Sequence, residues 1–295
     1  MPIAQKFQLE TSIGLNEFLD YAQHNVDVSD KDGLLSLSEK FAMLGNNREF
    51  LSDFFSRFIR EIAYKDPLSV LLSQSVVIAR CRDFYLRANF WLPAEDMTKN
   101  ESVLYAYDQP HDHNFDLLSL AYCGDGYVSD GFIYSYDKVT GYIGEQVELL
   151  PLGAHKHACG DVLLYECNKD IHIQHPPNDP SITLNVIPLV NQNGLRDQFF
   201  FEIESVISTR GIIRRHAPNI IEQRKYLFDI AKHIANDEIA QLFIDISKSH
   251  HCNRTRYEAI RALKTYSLDM HDDLAYSLRD DSTPIIQHYI SGVLN

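Results

Sequence analysis

The spacing of hydrophobic positions changes twice along the 295-residue chain. Residues 15–72 carry apolar side chains at helical spacing, with a wide apolar stripe between Phe50 and Ile62. Asp66-Pro67 is a natural end for this stripe, because the residue before a proline avoids the helical region. We therefore expect an N-terminal helical segment over residues 1–74.

Between residues 75 and 205 the hydrophobic period falls to two, as in strands. Turn sequences such as Cys-Gly-Asp-Gly at 123–126 separate the alternating runs. Many short strands with turns roughly every 8–12 residues are typical of an antiparallel sandwich or barrel rather than a parallel α/β sheet. The predicted strands are 76–80, 85–92, 117–122, 131–136, 147–150, 161–165, 181–188 and 198–203.

After Glu204 the spacing is helical again, with Ile239, Leu242, Phe243 and Ile246 on one face. The last forty residues resemble a helical hairpin of the HEAT type. A single hairpin does not make a solenoid, because neighbouring repeats are needed to bury its faces. We expect residues 206–295 to form a HEAT-like helical segment that caps the β domain or joins copies of the chain.

Composition limits the class of protein. The chain is 45% hydrophobic and 23% charged, which excludes intrinsic disorder. No stretch reaches the roughly 18 uncharged apolar residues of a membrane helix, and no apolar signal core is present. The net charge of −14 argues against nucleic acid as a partner. Five scattered cysteines without a Cys-x-x-Cys pair favour free thiols. We expect a cytoplasmic protein that binds neither membranes nor nucleic acid.

The sharpest chemical motif is the pair His111 and His113, in the sequence Gln-Pro-His-Asp-His. Side chains two residues apart in an extended segment project from one face, so both imidazoles can reach one metal ion. A third ligand has to come from a neighbouring strand. Residues 160–172 are interpreted as a strand, a turn and then His172 at the start of the next strand. His175 competes for this role, but it faces the other way in a regular strand, so His172 is preferred.

A second His-x-His pair, His155 and His157, precedes the Gly-Asp strand in a segment interpreted as a turn. Lys156 between them would repel a cation. We therefore expect these two histidines to lie in a solvated loop or along the path of the substrate, and not to bind a metal.

The His-x-His pair together with the later Gly-Asp strand and histidine resembles the two motifs of the cupin superfamily. The cysteine dioxygenase-like (thiol dioxygenase) branch is the most similar, because it also carries His-Asp-His and a later strand ending in proline, as 181–188 does here. The resemblance covers about residues 75–205. It implies an α+β fold, in which an antiparallel β-barrel of the jelly-roll type is flanked by the N-terminal and C-terminal helical segments.

Two positions depart from the family pattern. Most cupins place a glutamate four residues after the second histidine, where this chain has Leu117, and Asp116 would face away from His113. A three-histidine site is therefore favoured over three histidines plus a carboxylate. Leu118 stands where some cysteine dioxygenases carry a cysteine crosslinked to tyrosine, which puts cysteine itself in doubt as the substrate.

The resemblance also implies that an arginine from the strands before the first motif binds a substrate carboxylate. The candidates are Arg80, Arg82 and Arg87, and exposed arginines on an edge strand are the alternative. Tyr122 and Tyr165 lie on predicted strands and are candidates for a catalytic hydroxyl inside the barrel, although a packed ring is the usual role of such a tyrosine.

Three neutral imidazoles leave coordination positions open and suit iron, zinc, nickel or copper, so the ligand set leaves the metal undecided. The resemblance favours Fe(II). Oxygenases that depend on 2-oxoglutarate need a carboxylate in the first motif and an arginine soon after the last histidine, and this chain has neither. The leading interpretation is a mononuclear non-haem iron oxygenase whose partners are dioxygen and a small polar acid or amine. The alternatives are a non-catalytic cupin that binds or regulates, and a metal-dependent lyase or isomerase.

Overall fold

The computed structural model describes residues 2–65, 74–98, 104–189, 196–218 and 220–294, and the predicted break at Asp66-Pro67 lies outside them. The chain forms two compact units. The first comprises residues 1–134, 148–190 and 203–209, and the second comprises residues 135–147, 191–202 and 210–295.

Helices cover most of the N-terminal segment of the first unit, as the apolar spacing predicts. Asp30 caps the second helix by accepting hydrogen bonds from two backbone N–H groups at its first turn. The rings of Phe18 and Phe41 stack 5.3 Å apart and are fully buried. The bounds are α1 Leu15–Asn25, α2 Lys31–Ser36, α3 Ser38–Asn46 and α4 Phe50–Lys65.

The strands of the described residues are antiparallel and form three sheets. Their bounds are β1 Ile3–Gln5, β2 Ser75–Arg80, β3 Phe84–Trp91, β4 Leu117–Cys123, β5 Tyr127–Ile133, β6 Gln146–Glu148, β7 Leu150–His157, β8 Val162–Tyr165, β9 Asp170–Gln174, β10 Ser181–Pro188, β11 Phe199–Glu202 and β12 Arg210–His216. The sheet orders are β1-β8-β4-β10-β3-β2, β7-β5-β9 and β11-β12-β6.

The α+β class with antiparallel sheets is confirmed, but the expected closed barrel is not present among the described strands. Closure would require hydrogen bonds between the edges of the sheets. Instead β1 covers one edge of the six-stranded sheet by pairing with β8, and β2 forms the other edge. The jelly-roll likeness stays a prediction.

The six-stranded sheet has two chemically different faces. Strand alternation directs Leu86 and Ala88 into the apolar core that contains the N-terminal helices. The opposite face carries buried polar side chains, including Asn89 and Asn185. This polar face lies against the β7-β5-β9 sheet, because the ring of Tyr165 on β8 is 4.8 Å from that of His172 on β9.

Two segments differ from the sequence interpretation. The presumed turn at 153–157 belongs to β7, which pairs with β5 along its length and accommodates Gly153 at a φ of 79° beside a register shift. Residues 210–216, expected to be helical, form β12. Its alternation buries Gly211 and Ile213 and exposes their neighbours, which is a strand pattern. The sequence interpretation included this short segment in the helical region that follows it.

Helices at the C-terminus are confirmed in the second unit. Their apolar faces meet in one cluster that includes Phe243, Leu263 and Ile286. The HEAT-type likeness stays a prediction. None of the helices in the described part of the chain combines the length and apolarity that crossing a bilayer requires. Their bounds are α5 Ile220–Ile234, α6 Asp237–Ser249, α7 Asn253–Tyr266, α8 Leu268–Ser277 and α9 Pro284–Leu294.

Candidate metal centre

Three imidazoles meet between the two sheets of the first unit. One ligand nitrogen of each of His111, His113 and His172 lies within 4.8 Å of those of the other two. The Nε2 atoms of His111 and His172 are 3.0 Å apart. Two imidazole nitrogens bound to one ion at about 2.1 Å each would lie about 3.0–3.4 Å apart, so the spacing fits a shared ion.

Backbone hydrogen bonds explain why these histidines meet. His172 lies on β9, opposite Gly131 of β5. His111 and His172 form an isolated antiparallel bridge. The N–H of His111 donates to the carbonyl of His172 (3.1 Å), and the N–H of His172 donates to the carbonyl of His111 (3.0 Å). The bridge brings residues 61 positions apart to adjacent sites in the structure.

The residue between the two motif histidines anchors them from the opposite side. Asp112 is fully buried, and its carboxylate accepts hydrogen bonds from the hydroxyl of Tyr134 (2.6 Å) and the amide of Asn168 (3.1 Å). The backbone N–H of Asn168 donates to the carbonyl of His113 (2.7 Å). The β8–β9 turn thereby holds the His-Asp-His segment in place.

Two of the three imidazoles are set up as neutral ligands. Burial, followed by the neighbouring imidazoles, lowers the pKa of both His113 and His172 well below the usual value. The Nδ1 of His111 donates to the carbonyl of Gln109 (2.8 Å), so its Nε2, which faces the Nε2 of His172, carries the lone pair that can bind a metal. Within the described residues, the buried Nδ1 atoms of His113 and His172 have no hydrogen-bond partner.

Of the three candidate arginines, the structure brings only Arg87 to the cluster. Its Nε is buried, it has no hydrogen bond or ion pair within the described residues, and its charge contributes to the lowered pKa of His113. Burial also lowers the pKa of Arg87 itself. Arg80 is exposed at the end of β2, and Arg82 lies in the exposed β2–β3 turn, where it pairs with Asp83.

The two candidate tyrosines lie on opposite faces of the six-stranded sheet. Tyr122 is in the core on the helix side, where its hydroxyl donates to the carbonyl of Asn47 (2.9 Å), so it does not reach the histidines. Tyr165 lies on the polar face beside His172. Burial raises the pKa of Tyr165 to about 12, and Ser129 and Tyr127 are the polar side chains beside its hydroxyl.

No carboxylate joins the cluster within the described residues. Leu117 packs in an apolar group with Tyr165. The carboxylate of Asp116 accepts a hydrogen bond from the N–H of Cys167 (2.7 Å) and so belongs to the β8–β9 turn. The position that holds a glutamate in most cupins is thus apolar in this chain.

The other candidate histidines, His175, His155 and His157, are not part of the cluster. His175 is bonded to Asp108 (2.6 Å) and Asp130 (2.8 Å) through its two ring nitrogens, away from the cluster. His157 is fully buried on β7: its Nε2 donates to the carbonyl of Asp161, and burial lowers its pKa to about 4. Its neighbour His155 also lies on β7, so neither residue is in a turn or a solvated loop.

Two buried amides near the site were missed by sequence reasoning. Within the described residues, the Oδ1 of Asn89 and the Nε2 of Gln174 have no hydrogen-bond partner. Asn89 follows Arg87 by two residues on β3, and Gln174 follows His172 by two on β9. Because side chains alternate along a strand, this spacing is a signal that would have placed both amides on the faces of the candidate residues.

Comparisons with known proteins give only weak likenesses. No family model and no curated protein matches the chain. Hydroquinone 1,2-dioxygenase from Sphingomonas sp. TTNP3, solved with 4-hydroxybenzoate bound, shares 10% identity over 42% of this chain and 70% of its own, with a TM-score of 0.25. The polyketide cyclase RemF from Streptomyces resistomycificus shares 13% identity over 39% and 64%, with a TM-score of 0.21. A prolyl 4-hydroxylase from Phytophthora capsici shares 10% identity over 94% and 82%, with a TM-score of 0.26. Scores this low carry no argument, so the site is interpreted from its own geometry.

Proposed function

We propose that the first unit is a mononuclear metal-dependent oxygenase that uses dioxygen and a small acidic substrate without 2-oxoglutarate. The observation that carries the proposal is the convergence of His111, His113 and His172 in a buried site. The Nε2 atoms of His111 and His172 lie 3.0 Å apart, a spacing that fits two nitrogens bound to one ion. Imidazoles whose nitrogens converge in this way are suitable ligands for a first-row metal ion.

The donor set fits Fe(II), and zinc, nickel and copper share its preference for imidazole. Iron held by these three histidines would supply dioxygen activation and Lewis acidity. The hydrogen bond from His111 to Gln109 fixes one ligand tautomer, and the Asp112 anchor holds the motif. The cupin-like motif pattern adds to this support.

Arg87 is the residue we propose to bind the substrate. A partly buried arginine whose Nε is buried, and which has no carboxylate partner in the described residues, is a strong binding group for a carboxylate that enters the site. The unpartnered Oδ1 of Asn89, on the same face of β3, can accept a hydrogen bond from a donor group of the substrate. Tyr165, whose raised pKa keeps its hydroxyl protonated at neutral pH, can donate a hydrogen bond.

Metal analysis of two histidine variants tests the ligand set. We expect the purified wild type to bind about one metal ion, His172→Ala to lose most of it, and the matched control His175→Ala to keep it. Losing one of three imidazoles removes a ligand, whereas His175 is bonded to two carboxylates outside the cluster. Loss of metal from His175→Ala with retention in His172→Ala would mean that His175, and not His172, is the third ligand.

Oxygen uptake tests the reaction class. With Fe(II) bound, we expect dioxygen consumption that depends on a member of a panel of small acids, amines and thiols, and not on 2-oxoglutarate. A requirement for 2-oxoglutarate would overturn the proposal. Tight zinc binding without oxygen uptake would favour the lyase or isomerase alternative, and a protein that binds no metal would favour the non-catalytic alternative.

A further inference from the structure

The second unit contains a cavity of about 840 Å³. Its walls come from residues 141–143, the end of β12 and helices α5, α7 and α9. Cavities of roughly 300–1,000 Å³ are typical of small-molecule sites. The residues that line this cavity and those of the proposed metal centre do not overlap.

The walls of this cavity are cationic in an acidic chain. Five lysine and arginine side chains line it against two glutamates, although the chain as a whole carries −14. Lys264 is exposed and forms no ion pair within the described residues. Arg261 is 46% exposed and pairs with one carboxylate, that of Glu258. An anion that enters the cavity would therefore meet positive charge that the protein does not neutralise.

The two glutamates of the wall are already engaged. Arg254 is 6% exposed and binds Glu258 at 2.7 Å, Glu222 at 3.1 Å and Asp197 at 3.3 Å. This buried network pairs both glutamates of the cavity wall with a cation. Burial, followed by the charge of Arg254, lowers the pKa of the adjacent His216 to about 3, as expected beside a fixed positive charge.

The cavity also presents flat aromatic faces. Tyr142 and His288 are stacked in parallel, with centroids 3.9 Å apart and planes 5° apart. Tyr257 meets Tyr289 edge to face at 5.5 Å, and the guanidinium of Arg261 lies 5.6 Å from the ring of Tyr257. A planar ring can lie against such faces while its charged group reaches the cations.

We propose that this cavity is a binding site for a small anion that carries a planar aromatic ring. The class includes nucleoside phosphates and aromatic carboxylates, which share a flat apolar ring and a compact negative group. Cationic side chains recognise the charge through charge-assisted hydrogen bonds, and the tyrosines recognise the ring.

Calorimetric titration of the full chain with AMP, benzoate and inorganic phosphate tests the proposal. We expect AMP or benzoate to bind at least about tenfold more tightly than phosphate, which has the charge but no ring. Lys264→Glu should weaken that binding by about tenfold or more, because it replaces a cation with an anion. Tyr142→Leu should remove the advantage of the ring-bearing probe and leave phosphate binding unchanged.

Lys248→Glu, on an exposed position of α6 outside the cavity, makes the same charge change and should alter binding by less than about twofold. Lys264→Gln replaces Lys264→Glu if the latter lowers the melting temperature. AMP and benzoate distinguish a phosphate from a carboxylate ligand. Failure of both AMP and benzoate to bind, binding of both no tighter than that of phosphate, or equal effects of Lys264→Glu and Lys248→Glu would overturn the proposal.

Discussion

At the scale of single residues, Arg87 places a charged side chain at a partly buried position of the first unit. Its Nε is buried, and no carboxylate pairs with it within the described residues. A buried charge without a partner lowers the stability of the folded state. Such an arrangement is consistent with a residue retained for binding, because active sites often sacrifice stability for function.

Replacing Arg87 therefore tests whether its charge lowers the free energy of unfolding. We expect Arg87→Met to raise the free energy of unfolding by about 1–3 kcal/mol, since an apolar side chain of similar length removes the buried charge. The control Arg82→Met removes an exposed ion pair and should change stability by less than about 0.5 kcal/mol. Chemical denaturation of both variants, loaded with the same metal, measures the difference. A less stable Arg87→Met protein would mean that the guanidinium has a structural role.

His175 gives a prediction about pH. Burial lowers its pKa, but the carboxylates of Asp130 and Asp108 outweigh burial and raise it above the usual value. A raised pKa in the folded state means that the stabilisation is complete below the unfolded pKa of about 6.5 and is lost as pH rises through the folded pKa. The advantage of wild type over His175→Gln in urea unfolding should therefore be larger at about pH 5.5 than at about pH 8.5. An advantage that grows with pH would contradict this assignment.

At the scale of elements, the β8–β9 turn controls the geometry of the histidine motif. Asn168 adopts a φ of 50° and bonds both Asp112 and the backbone of His113. The left-handed conformation is costly for most side chains but tolerated by asparagine and glycine. A turn between two strands thus positions a motif that lies more than fifty residues earlier in the chain.

Two substitutions at Asn168 separate backbone strain from the lost hydrogen bond. Both Asn168→Gly and Asn168→Ala remove the bond to Asp112 and should weaken metal retention against a chelator. Asn168→Ala should be the less stable of the two by about 1 kcal/mol, because alanine is strained at this φ. Asn236→Ala removes the cap of α6 at a similar cost of about 1 kcal/mol and should leave metal retention unchanged. Equal loss of metal from all three variants would mean that general destabilisation is the cause.

At the scale of the whole molecule, all three proposed ligands lie in the first of the two compact units. A ligand stabilises the part of the protein to which it binds, by about 2.7 kcal/mol at a concentration one hundred times its dissociation constant. Removing the metal with a chelator should therefore increase amide hydrogen exchange around 111–113 and 170–174. Peptides from α5 to α9 should keep their protection, and an equal loss of protection across both units would contradict this prediction.

The α+β class, the antiparallel strands, the C-terminal helices and the histidines that the structure brings together could all be predicted from the sequence. These features depend on local spacing: apolar positions repeat at 3.6 or 2 residues, and residues two apart in an extended segment share a face. The preference for His172 over His175 rests on the same rule, and the structure places only His172 at the cluster.

Only the tertiary structure decided which candidates share a site. Arg82 and Arg87 look equivalent in the sequence, but a turn exposes one and strand alternation buries the other. Tyr122 and Tyr165 lie on opposite faces because their strands pair in a register that no local pattern specifies. The open sheets also follow from long-range pairing, since β1 covers an edge through hydrogen bonds to residues about 160 positions away. Spacing reports the face on which a side chain lies, whereas the partner of that face depends on contacts between distant parts of the chain.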